Sequence, residues 1–301
     1  MRIANLAGRL VVLSGDAGHE IAHDVEKNSS GRFGPGPQAI YDDWDAFTGW
    51  AAAARWEGGT PVVPGELGSP APAPRQVLAI GLNYREHAAE SGFAAPAGEP
   101  PVFTKFPSCI TGPRGDITLP EGGHTDWEVE LVAVIGRRAE QVSEDDALSY
   151  LAGYAAGQDI SERILQSAAT PPQFSLGKSL PGFGPIGPCL VTLDEFADPN
   201  DLELSCAING EQMQHARTSD LIFSVPAWSP GCPPRCRCCP ATSSSPGPRP
   251  GSASAAPRSA GSPPATSSSA ASRASANSGT GSSPPADHPA KGRCLQWPCT
   301  A

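Results

Sequence analysis

The chain has 301 residues, which is enough for one large domain or two smaller ones with a sizeable core. Its formal net charge of −10 argues against nucleic-acid binding, because such a protein needs a basic surface to displace counterions. No stretch approaches the roughly 20 apolar residues of a membrane helix. Neither a nucleic acid nor a membrane is therefore expected as a partner.

The first residues, MRIANLAGRLVVLSG, lack the layout of a secretory signal and predict a first β-strand, so we expect a cytoplasmic protein. Residues 1–70 predict a small N-terminal domain with short strands and a helix around YDDWDAFTGWAAAARW. The exit from this domain, VVPGELGSPAPAPR, is rich in Pro and Gly and is typical of a linker.

Residues 76–226 predict a second, β-rich domain. Runs such as QVLAIGLNY, WEVELVAVIG and LELSCAING have the length and composition of strands. One helix is expected at SEDDALSYLAGYAAG, where Ser143 is a suitable N-cap before three acidic residues. The fold class that follows is α+β and mostly β.

The strongest local signal is the strand-like run TDWEVELVAVIG. Side chains alternate along a strand, so Glu128 and Glu130 point to one face. Two like charges at that spacing repel unless something positive lies between them, and a hard divalent cation with oxygen ligands meets that need. An ordinary solvated strand face is the alternative. Asp159, expected at the end of the predicted helix, is a third carboxylate, but the sequence does not show that it lies near the other two.

Other polar residues are suited to chemistry as well as to a solvated surface. His87 and Glu90 in NYREHAAE share a helix face, and a carboxylate beside an imidazole suits a general base for water. Lys178, in FSLGKSLPGFGPIGP, is suited to polarising a carbonyl or binding a carboxylate. Arg163 and Gln166, in DISERILQ, would lie on one helix face just after the third carboxylate.

The composition changes abruptly at residue 227. The segment 227–301 contains one acidic residue against seven Lys or Arg, and a single Leu is its only large aliphatic residue. Too little apolar surface is present to offset an ordering cost of about 1–2 kcal/mol per residue, so we expect a disordered, low-complexity tail. Either it is a genuine Ser/Pro/Arg interaction segment, or it is a frameshifted product of a GC-rich coding region.

Six segments between residues 77 and 226 together resemble the fumarylacetoacetate hydrolase family, specifically its short bacterial members. In order, they are GLNYREHAAE, PPVFTKFPSCITGP, TDWEVELVAVIG, GYAAGQDISERILQ, FSLGKSLPGFGPIGP and INGEQMQHARTSDLIFSVP. The resemblance implies a mixed β-sandwich roll behind a small N-terminal domain, usually as a homodimer.

The resemblance also implies three sets of site residues. The ligands of Mg²⁺ or Mn²⁺ would be Glu128, Glu130 and Asp159. The catalytic residues would be His87 and Glu90 as a water-activating pair, with Lys178 as a third near the metal. The substrate contacts would be Arg163 and Gln166. The pair His87 and Glu90 is expected on a segment that closes over the substrate.

The activity implied by the resemblance is metal-dependent cleavage of a carbon–carbon bond in an acylpyruvate or 2,4-dioxo acid, which gives pyruvate and a carboxylic acid. Decarboxylation of oxaloacetate and isomerisation or hydration of 2-oxo-dienoates remain open alternatives. Two features depart from the family pattern: Gln158 replaces the usual Asn, and no TGTP-type loop follows Ala227. The second departure leaves open an inactive chain that only binds metal.

Overall fold

The structure, a computed structural model, describes residues 1–84, 101–228, 242–246 and 291–293. This part of the chain is mostly β, which confirms the predicted fold class. It contains no helix that is long and apolar enough to cross a membrane.

Short strands make up most of the regular structure in the described ranges. In chain order they are β1 (Arg2–Leu6), β2 (Arg9–Ser14), β3 (Ile21–Asp24), β4 (Thr60–Pro61), β5 (Leu67–Gly68), β6 (Val77–Ile80), β7 (Val102–Lys105), β8 (Ile110–Thr111), β9 (Asp116–Thr118), β10 (Thr125–Asp126), β11 (Val129–Ile135), β12 (Leu151–Gln158), β13 (Ser161–Glu162), β14 (Gly184–Val191), β15 (Glu203–Ile208), β16 (Glu211–Arg217), β17 (Thr242–Pro246) and β18 (Lys291–Arg293).

The helices are short. The α-helices are α1 (Val25–Asn28), α2 (Trp44–Ala51), α3 (Arg163–Gln166), α4 (Phe174–Gly177) and α5 (Val225–Trp228). Single turns of 3-10 helix span Pro37–Asp42, Pro64–Glu66, Pro107–Cys109, Ala147–Tyr150, Leu193–Glu195 and Thr218–Asp220. Helix α2 lies inside the segment predicted to be helical, and the carboxylate of Asp43 caps it by accepting from the backbone N–H of Ala46.

One sheet of 12 strands forms the frame of the molecule. Its order is β4-β3-β2-β1-β14-β12-β11-β17-β6-β7, with β5 paired to β1 and β8 paired to β14. Strand β1 is antiparallel to β14, with Arg2 opposite Val191 and Ile3 opposite Leu190. The N-terminal strands therefore extend the sheet that carries the later segments, and the division of the chain near residue 70 stays a prediction.

The central strand β11 is buried on both faces. Val132 packs into an apolar cluster that includes Ile3 of β1, whereas Leu131 packs into another that includes Leu204 of β15. A strand that is covered on both faces needs a nearly continuous apolar run, and VELVAVI has one polar residue, Glu130. Side chains alternate, so Glu130 lies on the same face as Val132.

The helix predicted at SEDDALSYLAGYAAG is wrong for most of its length. Ser143 does accept from the backbone N–H of Asp146 at 3.2 Å, but this cap serves a turn before the 3-10 helix Ala147–Tyr150. The rest, LAGYAAG, belongs to strand β12, which ends at Gln158 and pairs with β11 on one side and β14 on the other. Long-range pairing overrides the local preference, because small Ala and Gly residues let the neighbouring strands approach closely.

Three pieces of the tail lie in the described ranges: residues 227–228 at the end of helix α5, strand β17 and strand β18. Strand β17 lies between β11 and β6, and strand β18 pairs with β9. Both are held by main-chain pairing, which places few demands on sequence. The remainder of the predicted disordered tail lies outside the described residues.

The close approach of strand β12 to strand β14 depends on Gly153. Gly153 has a φ of +153°, and a Cβ there would lie 2.1 Å from the backbone oxygen of Val191. Gly153→Ala should therefore lower the free energy of unfolding by about 1–3 kcal/mol, because β12 and β14 must separate to admit the methyl group. Urea denaturation followed by circular dichroism measures this change.

Gly49→Ala is the matched control. Gly49 is exposed in helix α2, and a Cβ there meets no atom within 4 Å. This substitution should leave stability unchanged or raise it by about 0.5–1 kcal/mol. Equal effects of the two substitutions would contradict the account of β12.

Candidate metal centre

Strand pairing brings the three predicted carboxylates together. Strand β11 begins immediately after Glu128, and strand β12 ends immediately before Asp159. The two strands are antiparallel, with Val129 opposite Gln158, so the two carboxylates emerge at the same end of the pair. The backbone N–H of Asp159 donates to the carbonyl of Glu128 at 2.9 Å and continues the ladder by one residue.

Glu128, Glu130 and Asp159 form one compact cluster. One carboxylate oxygen from each residue lies within 4.8 Å of the corresponding oxygens of the other two. The three residues are 3%, 1% and 1% exposed, so this is not the solvated strand face that the sequence also allowed. Three buried carboxylates at this separation cannot all be ionised unless positive charge lies close by.

Lys178 supplies part of that positive charge. Its Nζ donates to Glu128 Oε2 at 2.8 Å, to Asp159 Oδ2 at 2.8 Å and to Ser161 Oγ at 2.7 Å. Burial alone would lower the pKa of Lys178, but the charges of Asp159 and Glu128 outweigh that effect and the pKa is raised. The ammonium is therefore charged, and its place at the end of α4 joins it to two predicted metal ligands.

Arg163 holds the other oxygen of Glu128. Its Nη2 donates to Glu128 Oε1 at 2.6 Å and to Asp126 Oδ2 at 2.7 Å, and its Nη1 donates to Gln166 Oε1 at 2.7 Å. Arg163 and Gln166 are the first and last residues of α3. The sequence predicted both of them on one helix just after the third carboxylate. Both residues therefore lie beside the carboxylate cluster.

Three residues of the site were missed by sequence reasoning: Lys105, Asp126 and Ser161. Lys105, the last residue of β7, is 3% exposed and donates to Asp159 Oδ1 at 2.6 Å. A lysine within the apolar run PPVFTKFPS is the signal that could have identified it, because lysine is almost never fully buried unless it is paired.

Glu130 is the member of the cluster that lacks a donor. Both of its carboxylate oxygens are buried, and neither has a hydrogen-bond partner in the part of the chain that the structure describes. Burial raises the pKa of Glu130 well above its ordinary value, and the charges of Asp159 and Glu128 raise it further. An orphaned buried carboxylate beside two others fits a hard divalent cation, which prefers oxygen ligands.

The predicted pair His87 and Glu90 lies outside the described residues. Its segment follows Tyr84, which pairs with Leu221 in an isolated β-bridge. The water-activating role of the pair therefore stays a prediction.

The segment 76–228 matches the family model described as fumarylacetoacetate (FAA) hydrolase C-terminal. The chain is 45% identical over 168 residues to the 2,4-didehydro-3-deoxy-L-rhamnonate hydrolase of a Sphingomonas species, a match that covers 55% of this chain and 58% of the relative. It is 41% identical over 158 residues to a mitochondrial oxaloacetate tautomerase of Bos taurus, covering 52% of this chain and 50% of the relative. The chain thus spans about half the length of these curated relatives.

A solved structure extends the likeness beyond that half. A Mycobacterium smegmatis protein described as an HpcE protein superposes with a TM-score of 0.75 at 50% sequence identity. The match covers 81% of this chain and 85% of that one.

The raised pKa of Glu130 predicts how the stability of the metal-free protein depends on pH. The folded chain keeps a proton on Glu130 at pH values where the unfolded chain, with a pKa of 4.5, has lost it. This contribution to stability is therefore complete below the unfolded pKa and is lost as the pH rises through the raised pKa. Glu130→Gln has no proton to lose, so in EDTA its Tm should exceed that of the wild type at about pH 8, by a margin that shrinks towards about pH 5.

Thermal unfolding with and without Mn²⁺ completes this test. Mn²⁺ should raise the Tm of the wild type by more than that of Glu130→Gln, because the substitution leaves two carboxylates and a neutral amide, which bind the cation less tightly. The exposed Glu144 lies in the connection between β11 and β12, at the opposite end of the strand pair from Glu128 and Asp159. It provides the control Glu144→Gln, which should behave as the wild type. Parallel Tm curves for wild type and Glu130→Gln across the pH range would refute the assignment.

Proposed function

Because the chain belongs to the fumarylacetoacetate hydrolase family, we propose that it is a metal-dependent enzyme acting on a small 2-oxo acid. The specific reaction proposed is cleavage of the carbon–carbon bond of an acylpyruvate or 2,4-dioxo acid to pyruvate and a carboxylic acid. The observation that carries the proposal is the buried cluster of three carboxylates, in which both oxygens of Glu130 lack a donor in the described structure.

Glu128, Glu130 and Asp159 would hold the metal, which is Mg²⁺ or Mn²⁺, because both accept oxygen ligands in octahedral geometry. When bound, the metal supplies a Lewis acid and a template for the carboxylate and 2-oxo group of the substrate. The three carboxylates are suited to holding the metal because they present a dense negative charge at one end of the β11–β12 pair.

Lys178 has a second role in the proposal. Its Nζ lies at the carboxylate cluster and 5.3 Å from the centre of the Phe103 ring, which contacts Phe174 edge to face. These rings keep an apolar wall against the ammonium and limit the water that would otherwise screen its charge. A charged, poorly screened ammonium is suited to stabilising the enolate oxygen of departing pyruvate. Arg163, whose Nη1 donates to Gln166 Oε1, would contact a carboxylate or hydroxyl of the substrate.

His87 is proposed as the general base, oriented by Glu90. It would take the proton from the water that attacks the distal carbonyl carbon of the substrate. The bond between that carbon and the pyruvate methylene then breaks, and the methylene carbon of the enolate takes up a proton to give pyruvate. The support for this role is the family's pattern in NYREHAAE.

Oxaloacetate enol–keto tautomerisation is the second candidate activity. The relative from Bos taurus is named for this reaction, and the Sphingomonas relative is named for hydrolysis of a 3-deoxy sugar acid. Both relatives are named for reactions of small acids. Decarboxylation of oxaloacetate and isomerisation or hydration of 2-oxo-dienoates stay as predicted alternatives.

A third candidate is a chain that binds metal without turnover. The family match ends at residue 228, where the composition of the chain also changes. Translation of the source DNA in the other two frames beyond codon 226 distinguishes the two origins of the tail. A frame that restores a helix and a TGTP-type loop would favour a frameshifted enzyme.

The homodimer and the cytoplasmic location also stay predictions, and the Bos taurus relative is mitochondrial by name.

The test of the proposed reaction is acetylpyruvate cleavage in Mg²⁺ or Mn²⁺, measured as pyruvate released and enol absorbance lost. Glu128→Ala should lower kcat/KM by about 10²-fold or more, because the metal contributes several kcal/mol to the transition state. His87→Ala should lower it by about 10²–10⁴-fold, the usual contribution of a general base.

Glu144→Ala, a change of an exposed carboxylate, is the control and should retain wild-type activity. Oxaloacetate is tested in parallel, since loss of enol absorbance without release of CO₂ or pyruvate identifies a tautomerase. Full cleavage activity in either Glu128→Ala or His87→Ala would refute the proposed mechanism.

A further inference from the structure

We propose that Lys105 is a positioning residue that sets Asp159 for metal binding and fixes the turn that carries Lys178, whereas Lys178 competes with the metal for the same carboxylates. This inference rests on the proposed metal site. It assigns opposite effects on metal affinity to two buried lysines that contact one aspartate.

Lys105 has no donor left for a substrate. Its Nζ donates to Asp159 Oδ1 at 2.6 Å, to the carbonyl of Phe183 at 3.1 Å and to the carbonyl of Lys178. An ammonium has three N–H donors, so all three are used. Two of the acceptors are main-chain oxygens that cannot move without the backbone, and the side chain is 3% exposed. The ammonium is therefore locked in place.

These contacts join two parts of the site. Asp159 follows strand β12, whereas the carbonyls of Lys178 and Phe183 lie on either side of the turn between α4 and β14. Lys105 reaches both from the end of β7, where it lies opposite Val77 of β6. A single side chain thus fixes the aspartate and the backbone that carries Lys178.

The oxygens of Asp159 and Glu128 divide into two sets, named outer and inner, according to the side chain that donates to them. Lys105 holds Asp159 Oδ1 and Arg163 holds Glu128 Oε1, and these are the outer oxygens. The inner oxygens, Asp159 Oδ2 and Glu128 Oε2, both contact Lys178 Nζ. Hydrogen bonds to the outer oxygens orient a ligand without occupying the atom that would bind the metal.

Lys178 differs because its acceptors are side chains. Its Nζ contacts Asp159, Glu128 and the hydroxyl of Ser161, with no main-chain acceptor among its described contacts. The ammonium of Lys178, between the two inner oxygens, neutralises the negative charge that would otherwise attract the divalent metal. Its removal should therefore not weaken metal binding, whereas removal of Lys105 frees Asp159 to rotate away from the cluster.

The experiment compares Mn²⁺ binding to the full chain by electron paramagnetic resonance for wild type, Lys105→Met and Lys178→Met. Lys105→Met should raise the Kd for Mn²⁺ by about 10–100-fold, the usual cost of losing a hydrogen bond that orients a metal ligand. At saturating Mn²⁺ the spectrum of this variant should also differ from that of the wild type. Lys178→Met should bind Mn²⁺ at least as tightly as the wild type.

Two further variants separate positioning from a general loss of stability. Phe47→Leu loosens the aromatic cluster of Phe33, Trp44 and Trp50, so it should lower the Tm while leaving the Kd and the spectrum unchanged. Lys105→Gln replaces the ammonium by a neutral amide that can still donate to one carbonyl. It gives the same comparison if Lys105→Met does not fold. Its Kd should also rise.

Each outcome decides between the possibilities. A Kd for both Lys105 variants within threefold of the wild type, or a tighter one, overturns the positioning role and leaves the metal site standing. Weaker binding by Lys178→Met overturns the assigned competition. No Mn²⁺ binding by the wild type overturns the metal site itself, and with it this inference. Mn²⁺ binding without turnover of any 2-oxo acid overturns only the proposed enzymatic function.

Discussion

Mutual repulsion of three buried carboxylates is the constraint on which the rest of the site depends. Glu128, Glu130 and Asp159 are almost fully excluded from solvent and lie within 4.8 Å of one another. Unit charges at this separation interact by several kcal/mol even at an effective dielectric constant of about 20. Lys105, Lys178 and Arg163 compensate part of that charge, but Glu130 has no donor in the described structure. A divalent cation would supply the positive charge that Glu130 lacks.

The sheet makes this arrangement by ordinary means. Antiparallel pairing of β11 and β12 brings the start of one strand beside the end of the other, so a Glu and an Asp about 30 residues apart become neighbours. The apolar residues of β11 are buried on both faces, which holds the strand ends firmly. Polar residues are then confined to the end of the strand pair, where the lysines and Arg163 reach them from α3, α4 and β7.

Several parts of the site could be predicted from sequence because they are local or belong to a motif. Glu128 and Glu130 were identified by alternation along one strand, and the order of neighbouring segments added Asp159. The helix predicted before Asp159 was wrong, because the Ala and Gly residues of LAGYAAGQ have no strong strand signal and take their conformation from two neighbouring strands. Lys105 was missed because its acceptors are 54 to 78 residues away in sequence. The pairing of β1 with β14 was likewise beyond local patterns, since it joins residues nearly 190 positions apart.

The central claim is that Glu128, Glu130 and Asp159 together bind one divalent metal ion. Anomalous diffraction from crystals grown with Mn²⁺ tests it most directly, because the signal locates the metal independently of activity. The account predicts one anomalous peak bonded to an oxygen of each carboxylate, with Lys178 Nζ no longer shared between Glu128 and Asp159. A carboxylate cluster without a peak, still bridged by Lys178 at saturating Mn²⁺, would contradict it.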